Sequence, residues 1–101
     1  MIKVTTLLPF KDNDGTDLYN LHKKFEQSML ILFDAFTRMG RASGKWKNKE
    51  GDVYSDTHAV YVTVIPVDKY NEYKRMIHAF KRQTKQESIY VEITPITVEL
   101  V

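Results

Sequence analysis

The 101-residue chain contains no cysteine. A disulfide framework, a thiolate metal site and cysteine nucleophilic catalysis are therefore excluded. Long apolar runs are missing too. No stretch approaches the roughly 20 residues a membrane-crossing helix needs, and Met1-Ile2-Lys3-Val4 opens no signal-like apolar segment. A cytoplasmic protein without a membrane partner is the expectation. Neither charge sign dominates, and a net charge of +2 is not by itself a nucleic-acid signature. Glycine and proline are scarce, four and three residues, so each is read as punctuation.

The composition that remains is 43% hydrophobic and 28% charged, typical of a folded chain. The length suits one domain, residues 1–101. Ile2 to Phe10 alternates as a strand, with Ile2, Val4, Thr6 and Leu8 on one face. Pro9 and Lys11-Asp12-Asn13-Asp14-Gly15 stop it as a turn. A hand-type calcium loop is a poor reading of that run, because Leu21 stands where the closing glutamate belongs. Leu18, Leu21, Phe25, Met29, Leu32 and Phe36 predict a helix over about 17–36. Phe33 and Ile31 widen its buried band, Thr16 or Asp17 caps its start, and Gly40 ends it or turns the chain after it.

Arg41 to Lys47 reads as a second strand, turned through Asn48-Lys49-Glu50-Gly51. The return runs from about Asp52 to Val67 and is long enough to expect a bend near Asp56. Pro66 ends it and Asp68 caps a second helix to about Thr84, with Tyr70, Tyr73, Ile77 and Phe80 as its stripe. Glu87 to Thr94 is the last regular strand, and Pro95 separates a short edge strand or arm over 96–101. The order is β-α-β-β-α-β, the ferredoxin-like α+β sandwich with both helices on one face of an antiparallel sheet and a short C-terminal extra strand. Val60, Val62, Val64, Ile89, Val91 and Ile93 are expected under the helices. Trp46, Tyr61, Thr63, Tyr90 and Glu92 are then expected on the open face.

An open aromatic sheet face asks for a partner. The leading expectation is a homo-oligomeric interaction or regulatory domain, a homodimer or larger, with Tyr61 and Tyr90 as central contacts. A protein target is the next partner considered. Charge layout supports association: residues 38–56 carry net +2 and 68–85 net +4, whereas 86–101 carry net −3. Binding of single-stranded RNA or DNA on the same face is an alternative. Against it, Thr57-His58-Ala59-Val60-Tyr61-Val62 lacks the basic-glycine-aromatic opening of the familiar RNA-binding strand.

A third alternative is a small-molecule enzyme. Arg38, Arg41 and Lys45 are candidates to hold an anion, with Tyr54, His58 and Glu87 as weak catalytic candidates at a sheet end. The spacing of His22, His58 and His78 forms no metal motif, and neither metal nor cofactor is expected. Ser43 and Ser55 have no nucleophile context.

Gly44-Lys45-Trp46, Gly51, the third-strand valines and Lys81-Arg82 followed by Lys85-Gln86-Glu87-Ser88-Ile89 carry a partial resemblance. Over roughly residues 38–92 the chain resembles an uncharacterised family of small bacterial α+β proteins. The resemblance rests on a glycine-x-tryptophan strand and a basic helix followed by a Gln-x-Ser strand, and it implies no reaction.

Overall fold

The computed structural model describes all 101 residues. Its elements are β1 (Ile2–Pro9), α1 (Tyr19–Phe33), β2 (Thr37–Lys47), β3 (Val53–Ile65), a 3-10 turn (Val67–Lys69), α2 (Tyr70–Arg82) and β4 (Tyr90–Pro95). The sheet is antiparallel in the order β2-β3-β1-β4, leaving β2 and β4 as edges. Both helices lie on one face, the ferredoxin-like sandwich. Neither helix is long and apolar enough to cross a membrane.

One cluster of 13 buried apolar residues joins the helices to the sheet. From β1 come Ile2, Val4 and Leu8, the face that alternation predicts. α1 contributes Phe25 and Met29, preceded by Leu18, and α2 contributes Tyr73, Met76, Ile77 and Phe80. The buried stripe of α1 includes His22 rather than Leu21. Ile31, expected to be buried, is exposed, as are Leu30 and Leu32. The helix stops at Phe33 because Asp34 turns left-handed (φ 67°) and returns its N–H to Leu30 O at 3.2 Å.

The β3 faces are reversed from expectation. Ala59, Tyr61, Thr63 and Ile65 lie beneath the helices, and Val60, Val62 and Val64 face the open side, half-buried. Register settles this: Tyr61 pairs with Thr6 and Thr63 with Val4, both buried, and directly opposed residues share a face. Thr63 additionally donates its hydroxyl to Ala35 O at 3.0 Å. Tyr73 bonds to Thr6 across the core.

Three further expectations change. β2 begins at Thr37, and its irregularity lies between Arg38 and Arg41, where Gly40 is left-handed (φ 82°); pairing opposite Asp56 is regular. Residues 96–101 form no strand, and the Ile96 N–H to Met1 O bond (3.2 Å) is the last backbone tie. The segment Asp12-Asn13-Asp14 does more than turn. Asp12 accepts the Lys85 N–H (2.9 Å) and the Gln86 amide (3.1 Å), Asn13 donates to Lys85 O (2.9 Å), and Asp14 pairs with Lys85 Nζ (2.9 Å). This clamp ties the loop after β1 to the loop before β4.

Candidate functional site

The open sheet face is built in rows by register. Thr5, Val62 and Glu92 lie side by side, as do Leu7, Val60 and Tyr90, and Lys3, Val64 and Thr94. A valine stripe therefore runs down the middle with polar residues toward β4. Tyr90 is exposed and donates its hydroxyl to Glu92 at 2.8 Å, and this bond, with the carboxylate's charge, raises the phenol pKa. Beyond the helices the β2–β3 hairpin continues alone. There Trp46 stacks on Tyr54 (ring centres 4.7 Å apart) and donates its indole N–H to Asp56 at 2.6 Å. Asn48 shapes the loop by accepting the N–H groups of Glu50 and Asp52.

Of the five expected interface residues, Trp46, Tyr90 and Glu92 are exposed. Tyr61 and Thr63 are not. The two expected central contacts of the self-association interface, Tyr61 and Tyr90, are thus split between opposite faces.

Tyr61 instead anchors a polar cluster that sequence reasoning missed. Its hydroxyl donates to Glu26 Oε2 (2.7 Å) and lies 2.9 Å from His22 Nδ1. His22 Nε2 is 2.7 Å from Pro9 O, and since a carbonyl only accepts, that nitrogen carries a proton. Burial lowers the His22 pKa, outweighing the bond to Pro9 that favours the charged ring. In the neutral ring Nδ1 is an acceptor, so the one phenolic proton serves either His22 or Glu26. Burial, and then Glu26, push the Tyr61 phenol well above its ordinary range. The usable signal was the i, i+4 pair His22–Glu26 flanking Phe25 on the face of α1 that meets β3.

Arg38 Nη1 lies 3.7 Å from Glu26 Oε2, and its guanidinium sits 5.3 Å from the Phe10 ring centre. Arg41 lies over the same ring at 4.5 Å. His22 stacks with that ring as well, at 5.6 Å. The expected anion candidates Arg38 and Arg41 are therefore brought together. Lys45 shares their strand face but lies four residues, about 13 Å, beyond Arg41. Tyr54 belongs to the Trp46 stack, His58 pairs with Pro9 and Ala42 in the sheet, and Glu87 is exposed in the loop before β4. No hydrogen bond or ion pair joins these three into a catalytic group.

With that geometry in place, known structures supply a comparison. The divalent cation tolerance protein CutA1 from Thermus thermophilus superposes with a TM-score of 0.73 at 11% identity, covering 99% of this chain and 88% of that one. A CutA1 variant from Pyrococcus horikoshii gives 0.67 at 12% identity, covering 99% and 87%. The chain shares its fold with CutA1. A phage SAM lyase in complex with S-methyl-5'-thioadenosine is also similar, with a TM-score of 0.61 at 12% identity and coverage of 92% and 79%. No protein-family model matches the chain, and neither does any curated protein. The resemblance to an uncharacterised bacterial family is thereby corrected: structural likeness over nearly the whole chain is to a named family. The residues that suggested otherwise have local duties, Trp46 in the hairpin stack and Gln86 in the Asp12 clamp.

Proposed function

We propose that the chain is a cytoplasmic homo-oligomeric interaction domain, whose partner on the open face and hairpin is a second copy of itself. The carrying observation is excess surface. The accessible area is 7148 Å², whereas a compact monomer of 11.8 kDa has about 5,900 Å². The surplus is of the size that one partner contributes to a stable interface, about 800 Å² or more. It comes from an elongated body, 47 × 25 × 23 Å.

Charge and edge geometry support a copy as the occupant. The β2 edge carries Arg38, Arg41, Lys45 and Lys47, while residues 86–101 carry three glutamates and no basic side chain. Val98, Leu100 and Val101 are exposed apolar residues in that acidic segment. An acidic, apolar-studded segment laid along a basic unpaired edge joins hydrogen bonding, charge and burial in one heterologous contact. Sedimentation velocity across a concentration series should give a species at a multiple of 11.8 kDa. A persistent monomer at the highest concentrations would overturn the reading.

A second reading is a small-molecule enzyme acting on a sulfonium nucleoside. It is supported by the His22–Tyr61–Glu26–Arg38 chain, a titratable cluster beyond what packing alone requires, and by the likeness to the phage SAM lyase. Incubation with S-adenosylmethionine should release S-methyl-5'-thioadenosine, followed by chromatography. Neither turnover nor saturable heat of binding would remove this reading.

A further inference from the structure

In a regular strand, residues three apart point to opposite faces. Arg38 and Arg41 do not. Arg38 stands opposite Tyr61 and Arg41 opposite Ala59, two residues apart on β3 and both on its helix-covered face. The bulge between them inserts the extra residue, and left-handed Gly40 accommodates it at φ 82°, with open space for 4 Å around the point where a Cβ would stand. The consequence is two guanidinium groups over one ring, Phe10.

Two adjacent cations repel unless anions compensate them. One carboxylate is present: Glu26, 3.7 Å from Arg38 and already accepting from Tyr61. The structure holds two carboxylate ion pairs, Arg38–Glu26 and Lys85–Asp14, and neither involves Arg41. Arg41 is exposed and held by the face of Phe10.

We infer that the bulge builds an oxyanion site on β2, in which Arg41, steered by Arg38 and seated on Phe10, binds the phosphate or carboxylate group of a small molecule. A planar fork of N–H donors on an aromatic platform matches such groups in a bidentate manner, which a lysine in its place does not. Arg38 is paired with Glu26, so Arg41, which has no carboxylate partner, is the donor left for the ligand. The site needs no second copy and no sulfonium chemistry, but Arg41 lies on the basic β2 edge of the self-association reading, so a small anion and a second copy's acidic segment compete for it.

The test is titration of inorganic phosphate and, separately, succinate at constant ionic strength, followed by amide and guanidinium NMR shifts. Saturable shifts centred on Arg38, Gly40 and Arg41 are expected. Arg41→Gln should weaken binding by about tenfold or more, the loss of one charge-assisted bidentate contact. Arg41→Lys should recover only part of it, and Lys69→Gln, which removes an equal charge from the exposed 3-10 turn away from β2, should leave it unchanged. Whichever anion binds more tightly identifies the ligand group. Equal weakening by Lys69→Gln and Arg41→Gln, or no saturable shift with either anion, would overturn the inference. Sedimentation of the same samples separates such a failure from a failure of self-association.

Discussion

The two faces of the sheet use the same residue types to opposite ends. Beneath the helices, tyrosine and threonine are buried because each polar group has a partner: Tyr61 has Glu26 and His22, Tyr73 has Thr6, and Thr63 has the Ala35 carbonyl. On the open face the valines, with no polar group to satisfy, are left half-exposed. No buried side-chain nitrogen or oxygen lacks a partner. Burial here follows ring area plus satisfied hydrogen bonds rather than hydropathy rank. The open face keeps an apolar stripe that neither helix covers.

The comparison breaks most directly at Tyr61. Tyr61→Ala should destabilise the fold by about 3–5 kcal/mol, the cost of removing a large buried ring, with partners left unsatisfied in addition. Urea unfolding measures this. A loss below about 1 kcal/mol would mean that Tyr61 is not buried under the helices.

The matching change on the open face is Val62→Asp. It should leave unfolding within about 1 kcal/mol of the parent and weaken self-association by more than about 2 kcal/mol, the hot-spot scale. Sedimentation equilibrium reads the association constant. The reverse pattern, an intact assembly with a weakened fold, would exchange the roles of the two faces.

Much of the helix-covered side was legible. β1 alternates cleanly, α2 separates an apolar stripe from a basic face, and Pro66 and Pro95 mark strand ends. The face of β3 was not legible, because Ala59-Tyr61-Thr63-Ile65 and Val60-Val62-Val64 are both apolar enough for a core. A period of two cannot choose between such sets; only pairing to Thr6 and Val4 does. The Arg38–Arg41 pair was named from the sequence, but its shared face depends on a bulge that appears only with register. The extra strand over 96–101 does not form: beyond Pro95 the Ile96 N–H to Met1 O bond is the last backbone tie, and both sheet edges, β2 and β4, stay unpaired.

A smaller effect is expected where the two loops meet at Asp12. Burial alone would raise this carboxyl, but bonds from the Lys85 and Asn13 N–H groups and Gln86 outweigh it and hold the pKa below the ordinary value. A depressed carboxylate contributes stability above its unfolded pKa and loses it as pH falls through the folded value. Asp12→Ala should therefore cost about 1 kcal/mol at neutral pH, modest because the clamp is largely solvated. The difference should shrink in acid below about pH 4. A pH-independent difference would show that the clamp works through shape rather than charge.

The gentlest probe of the covered face is the charge state of His22. Glu26 and Asp17 from the helix side favour its charged ring, Arg38 from β2 opposes it, and Phe80 from α2 meets the ring edge-on. Burial is the largest effect and the pKa is lowered. The unfolded chain therefore takes up a proton at this residue, near pH 6.5, before the folded chain does. Stability should be level above that pH and fall as pH drops below it, by at most about 1.4 kcal/mol per pH unit for one proton. His22→Gln, which keeps a polar group beside Pro9 and Tyr61, should flatten the slope just below about pH 6.5. The other two histidines remain in both proteins, so their contribution cancels in the difference between the curves. Identical slopes would mean that His22 titrates alike in the folded and unfolded chain.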